Sequence, residues 1–306
     1  MESAHAVQVV TVDDAHSYHL NETELEKILM REGIKDLPVA VVSVVGAYRG
    51  GKSFLLNFFL RYLCSSPSAR SDGSWMGEGG KELTGFSWRG GSERNTTGIL
   101  MWSEPFVVTL PTEEKGTFDS TSTIRDCSTI FALSSLLSST QIYNLKSNIT
   151  EEDLQNLQML EFLIRDWLNP WEYAYGQAGG ELYLATKFKT DSNQPLELRE
   201  LRQHIQASFE KVTCFLMPHP GLGVANPNFK GKPSEISQEF ADMLKELATS
   251  IFSPDKLCMK RISGQSVKSR ELFSYFKTYM TIFNSDEIPT PMVLLQVTTA
   301  LVYLVL

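Results

Sequence analysis

Gly46 to Ser53 reads GAYRGGKS, a glycine followed after four residues by a Gly-Lys-Ser triplet, and it comes directly after the apolar run Val39 to Val45. Residues of these types at this spacing hold phosphate. Backbone N–H groups around Gly46, Gly50 and Gly51 and at the following helix start surround the phosphate oxygens. Lys52 neutralises the outer oxygens, and the Ser53 hydroxyl meets Mg²⁺. Thirty to fifty residues further on, the glycine-bearing stretch Gly85 to Ile99 stands where a nucleotide switch belongs, and Thr96 or Thr97 there offers a second hydroxyl to the metal. Reading guanine needs a carboxylate that accepts both N1–H and the exocyclic amine, an interaction adenine cannot supply. Asp166, next to Arg165 at the end of a short apolar strand, is the candidate; the commoner Asn/Thr-Lys-x-Asp pattern is missing, because TKFK at Thr186 to Lys189 lacks the acid.

The elements around these residues must put them on one sheet edge. VAVVSVV before the glycines is β-branched enough for a buried strand, and FLLNFFLRYL after them has the spacing of a packed helix. Upstream, VQVVTV predicts a strand, and Asn21 with Glu24 predicts a capped helix through Met30. Ser65 to Gly80 reads as a loop, and FVVTL, ended by Pro111, as a strand. Ser120 to Tyr143 contains a long apolar-rich helix and Glu151 to Leu160 begins another, FLI reads as a strand ending at Arg165-Asp166, and Leu196 to Phe209, Ile236 to Ile251 and Ser269 to Ile282 as helices. This alternation predicts an α/β fold, with ligands outside the carboxyl ends of the strands.

Composition narrows the function classes. A net charge of −8 argues against a sequence-independent nucleic-acid binder, which needs a basic face. Cys64, Cys127, Cys214 and Cys258 form no CxxC pair, so neither a zinc site nor a disulfide framework is expected and the cytosol is the natural compartment. The N-terminus lacks the basic and long apolar regions of a signal peptide. Met292 to Leu306 is apolar but contains Gln296, Thr298 and Thr299 and falls short of the about 20 residues a bilayer span needs. It reads as a helix or strand, against an interfacial or shortened membrane segment, so no complete transmembrane segment is expected.

GAYRGGKSFLLNFFLRYL, GFSWRGGSERNTTGI, GTFDSTSTIRD, FLIRDW, the YGQAGG region and CFLMPHPGLGVANPNF together resemble the GTPase domain of the atlastins, large dynamin-like GTPases of the endoplasmic reticulum. Guanylate-binding proteins share the phosphate-loop and Arg-Asp patterns. The resemblance runs from Val7 to about Pro291 and implies a P-loop GTPase domain with a mostly parallel central sheet flanked by helices. It implies that Arg49, Gly50, Gly51, Lys52, Ser53 and Phe54 touch GTP, with Arg49 turned inward as an arginine finger. A guanidinium beside the γ-phosphate suits phosphoryl transfer chemically. By the same resemblance Thr96 is the switch threonine, Arg165 and Asp166 the guanine-reading pair, and Val224 and Asn226 the loop over the base. Mg²⁺ as cofactor, homotypic membrane fusion at the cytosolic face of the endoplasmic reticulum, and nucleotide-dependent pairing with another copy or with full-length atlastin are implied likewise.

The pattern breaks in two places. A phosphate-loop GTPase needs a strand ending in Asp-x-x-Gly, whose Asp holds the water shell of Mg²⁺ and whose Gly N–H meets the γ-phosphate. Here Gly116 is the glycine, but the chain runs from Leu110-Pro111 through Thr112-Glu113-Glu114-Lys115 straight to it, so Glu113 has the acid's spacing and no strand to present it. A second shortening lies near Leu160 to Phe162. The expected organisation is an N-terminal strand and helix over 1–37, a GTPase domain over 38–285 lacking one core strand, and a linker or tail over 286–306. Two functional readings stand: a domain that binds and hydrolyses GTP, and a hydrolytically impaired nucleotide-binding and dimerisation module. An ATP-using phosphotransferase is disfavoured, since no acceptor-site signature accompanies the loop.

Overall fold

In the computed structural model the phosphate-loop strand is β3 (Val42–Val45), every residue of which is buried. The structure describes residues 3–13, 17–46, 50–77, 80–88, 98–110, 133–134, 137–146, 160–189, 199, 211–226, 228–262, 264–284 and 302–305. Arg49, Thr96, Gly116 and Glu113 lie outside them, as do the helices read at Glu151 to Leu160 and Leu196 to Phe209 in all but single residues.

The remaining strands are β1 (Ala6–Val12), β2 (Tyr18–Leu20), β4 (Ile99–Trp102), β5 (Thr140–Lys146), β6 (Leu160–Arg165), β7 (Val212–Leu216), a small hairpin of β8 (Arg261–Ile262) and β9 (Gln265–Ser266), and β10 (Val302–Val305). Eight of them form one sheet in the order β2-β1-β4-β10-β3-β5-β6-β7. β3, β5, β6 and β7 run parallel, and most of their residues are buried on both faces, as in a sheet covered on either side. Side chains alternate between two apolar cores: Val41 and Val45 face one, Val42 and Val44 the other, and on β7 Cys214 and Leu216 oppose Phe215 in the same manner.

Helices cover both faces. α2 (Lys52–Leu63) and α5 (Gln238–Phe252) bury Leu56, Phe58, Phe59, Leu244 and Leu247 on one side. α1 (Glu22–Leu29), α4 (Gly176–Phe188) and α6 (Ser269–Phe283) supply Leu25, Tyr183 and Phe276 to the other. Asn21 caps α1 by accepting from the Glu24 N–H, as its spacing predicts.

Several local expectations are corrected. Ser65 to Gly80 is not all loop: Ser66 caps a short helix, α3 (Pro67–Asp72), with Pro at its start, and a 3₁₀ turn follows at Ser74–Met76. In the run Ile99 to Leu110 the strand is Ile99–Trp102 and not FVVTL, since 106–110 carry no strand; Phe106, Val107, Val108 and Leu110 line an apolar pocket with Ile34, Leu63 and Phe252. Thr140 to Tyr143, the end of the run expected to contain a long helix, belong to β5, where they pair with β3. α4 was not anticipated: its first turns hold three glycines, Gly176, Gly179 and Gly180, which are weak helix formers.

The core slot expected to be vacant is occupied. β10, from the stretch assigned to a linker or tail, lies between β4 and β3, parallel to the first and antiparallel to the second.

Candidate nucleotide site

β3 delivers its carboxyl end to Gly46, whose φ of +139° and surroundings admit only glycine: a Cβ there would lie 2.3 Å from the Asn144 carbonyl oxygen on β5. Gly51 adopts the left-handed conformation (φ 72°, ψ 20°) and caps α2, turning the chain from loop to helix so that the first N–H groups of α2 open on the loop. Such a helix start, with its dipole, is a place where anions bind.

Lys52, in the first turn of α2, is 3% exposed and donates from Nζ to the Gly46 carbonyl (2.9 Å), folding back over the loop. Burial, with the Arg165 guanidinium as a second cation, lowers its pKa to about 8. Two cations this close in a desolvated site favour a polyanion between them. Arg165 ends β6, half-buried, with Nη1 3.5 Å from where a Gly51 side chain would begin and with its buried Nε–H unpaired among the described residues. Burial also pushes its guanidinium pKa down, while Asp166 opposes this.

Asp166 is the sole non-glycine residue with positive φ (55°) among those described. Such a conformation is uncommon outside Gly, Asn and Asp and concentrates at functional sites. The Met217 N–H donates to the Ile164 carbonyl (2.8 Å) and the Trp167 N–H to the Met217 carbonyl (3.0 Å), so the segments after β6 and β7 leave the sheet side by side. The β7 segment continues into a 3₁₀ turn, Leu222–Ala225, where Val224 packs on the core that contains α2. Asn226 is exposed, and its Oδ1 accepts from the Asn228 N–H, closing its own turn. The structure therefore gathers Gly46, Gly50, Gly51, Lys52 and Arg165 around one loop and puts Asp166 at the same sheet edge. Ser53 is half-buried beside Lys52. Phe54 turns its ring into an aromatic cluster with Phe58, Trp88, Phe229 and Phe240 at centroid distances of 5.1, 5.4, 5.8 and 6.2 Å.

Two buried asparagines escaped the sequence reading. Asn57, inside α2, donates to the Phe86 carbonyl (2.9 Å) and accepts from the Phe86 N–H (2.7 Å), so it docks the start of the Gly85 to Ile99 stretch. Asn144, inside β5, donates from Nδ2 to the Gly50 carbonyl. The available signal was an Asn interrupting an apolar run, in FLLNFFL and in QIYNL.

A glycine loop between a buried parallel strand and a helix, with a buried lysine folded over it at the carboxyl edge of an α/β sheet, defines a phosphate-loop nucleotide-binding domain. A family model described as guanylate-binding protein, N-terminal domain, matches residues 15–161 and 158–261, and the chain belongs to that family of GTPases. It is similar to Atlastin of Drosophila melanogaster (47% identity over 315 residues, 94% of this chain and 58% of the relative). It is likewise similar to Atlastin-1 of Bos taurus (46% over 327, 97% and 58%) and Atlastin-2 of Xenopus laevis (46% over 328, 97% and 57%). The chain thus spans about 58% of the length of the first of these relatives. The aligned lengths exceed the 306 residues of this chain, so the relatives carry residues that it lacks. The family match also divides near Leu160, where the second shortening was read.

Proposed function

We propose that this chain binds GTP at the Gly46–Phe54 loop and hydrolyses it with Mg²⁺, as a nucleotide-driven pairing domain of atlastin type. The observation that carries the proposal is the pairing of Lys52 and Arg165 at a left-handed Gly51, a cationic phosphate cradle, next to the strained Asp166 at the strand ends. Lys52 meets the β- and γ-phosphates, Arg165 closes the cradle, and Asp166 accepts from guanine. Val224 and Asn226 lie in the loop proposed over the base. The donor set described for a metal is the Ser53 hydroxyl in the first turn of α2, which suits Mg²⁺, a hard cation that keeps most of its waters. Mg²⁺ would supply neutralisation of charge on the transferring phosphoryl group. Arg49, Thr96 and Gly116 complete the proposed machinery on family resemblance alone. Equilibrium binding of fluorescent GTP and ATP, with single-turnover hydrolysis, tests this: a folded chain that binds neither nucleotide, or both equally, overturns it.

A second reading, a module that binds GTP yet hydrolyses it poorly, is favoured by the direction of β10. That strand fills the slot beside β3 but runs opposite to it, so its carboxyl end points away from the phosphate loop. It cannot present an acid to Mg²⁺ as a parallel strand would. Leu168 (68% exposed) and Leu222 (90%), following β6 and β7, support a partner surface on the nucleotide side. No helix among the described residues is long and apolar enough to cross a membrane. Action at the endoplasmic reticulum is proposed from the atlastin likeness.

A further inference from the structure

We infer that Asn144 is a positioning residue for phosphate binding, an inference that rests on the phosphate-loop reading above and assigns the group that sets the loop's polarity. Asn144 is 1% exposed, between the apolar Tyr143 and Leu145 of β5, and it holds the loop at both ends. Its main-chain carbonyl presses on Gly46, leaving no room for a side chain there, and its side-chain amide reaches Gly50. The amide orientation follows from chemistry, since only the NH₂ can face a carbonyl.

The consequence lies in the peptide that Asn144 grips. In a trans peptide the C=O and N–H point in opposite directions. Tying the Gly50 carbonyl back to β5 therefore turns the Gly51 N–H away from the sheet, into the loop where Lys52 and Arg165 converge. The left-handed Gly51 permits this turn without strain. Without the tie, the Gly50-Gly51 peptide is free to flip and present an oxygen to the phosphate. The side chain is costly to hold there, because its Oδ1 is buried and accepts no hydrogen bond among the described residues. A residue selected only for packing at this position would be apolar, like its neighbours Ile142 and Leu145.

The test uses the full chain, with fluorescent GTP and ATP as probes and melting of the nucleotide-free protein as control. Asn144→Ala should bind GTP at least about tenfold more weakly, as misplacement of a positioned group does, while the ratio of GTP to ATP affinity and the nucleotide-free midpoint stay near those of the parent. Asn144→Asp, which puts a carboxylate against the Gly50 carbonyl and near the phosphates, should bind more weakly still. Should Asn144→Ala not fold, Asn144→Ser carries the comparison, and in the parent the ¹⁵N-glycine amide signal of Gly51 should shift when GTP is added. GTP affinity within twofold of the parent in these variants, or a Gly51 amide unmoved by bound GTP, overturns the inference. Failure of the folded parent to bind GTP would instead remove the phosphate-loop reading itself.

Discussion

Tyr303 is paired with Val44 across an antiparallel ladder in the middle of the sheet, whereas on its other side Val44 is paired with Ile142 in a parallel one. β10 therefore closes the hydrogen-bonding edges of both β3 and β4, the strands that flank the missing element. Buried strand edges without a partner leave N–H and C=O groups unpaired, at about 1 to 3 kcal/mol for each. The same segment that satisfies them, Val302–Val305, brings no carboxylate of its own to the phosphate side, because direction and pairing are independent properties of a strand.

Removing 302–306 should lower the melting midpoint. Roughly half a dozen ladder bonds at about 0.5 to 1.5 kcal/mol net correspond to a fall of about 6 °C or more for a domain of this size. An unchanged midpoint by calorimetry would show that β10 does not hold the slot in solution.

Asp166→Asn should weaken GTP more than ATP by about 1.5 to 3 kcal/mol, the worth of a hydrogen bond to a charged group. Asn tolerates the left-handed backbone of this position (φ 55°), so the fold is retained. Competition binding of the two nucleotides measures the difference, and equal loss for both would remove Asp166 from the guanine site.

GTP affinity should fall about tenfold between pH 7 and pH 9. The free Lys52 ammonium has its pKa lowered to about 8, chiefly by burial and then by Arg165, and bound phosphate raises it again. Below pH 8 the charged form is already present; above it, binding must take up a proton. Arg165→Gln should move the break to higher pH, and calorimetry in buffers of different ionisation heat would detect the proton.

Glu161→Gln should stabilise the protein above pH 7. The carboxyl is wholly buried on β6, and burial raises its pKa from 4.5 to about 7 against a hydrogen bond from Thr213. A raised carboxyl pKa costs stability that is absent below pH 4.5, grows as the pH rises through 7, and is then of order 3 kcal/mol. Thermal midpoints of parent and variant should converge at pH 4.5 and separate at pH 8; a constant difference would show that Glu161 does not titrate in this range.

The nucleotide loop was legible in the sequence because its determinants are local. GAYRGGKS requires glycine where φ is positive, a lysine and a helix start within one stretch, and the neighbouring strand and helix announce themselves by periodicity. Arg165 and Asp166 could be placed at the strand end for the same reason. Asn144 and Asn57 could be seen only as polar interruptions, since what they bind, the Gly50 carbonyl and the main chain of Phe86, lies 94 and 29 residues away. The fate of the empty core slot was decided by tertiary structure alone. Burial demands that the open edges of β3 and β4 be paired, but any apolar β-branched segment can meet that demand in either direction, and only the assembled sheet selects Val302–Val305, running antiparallel to β3.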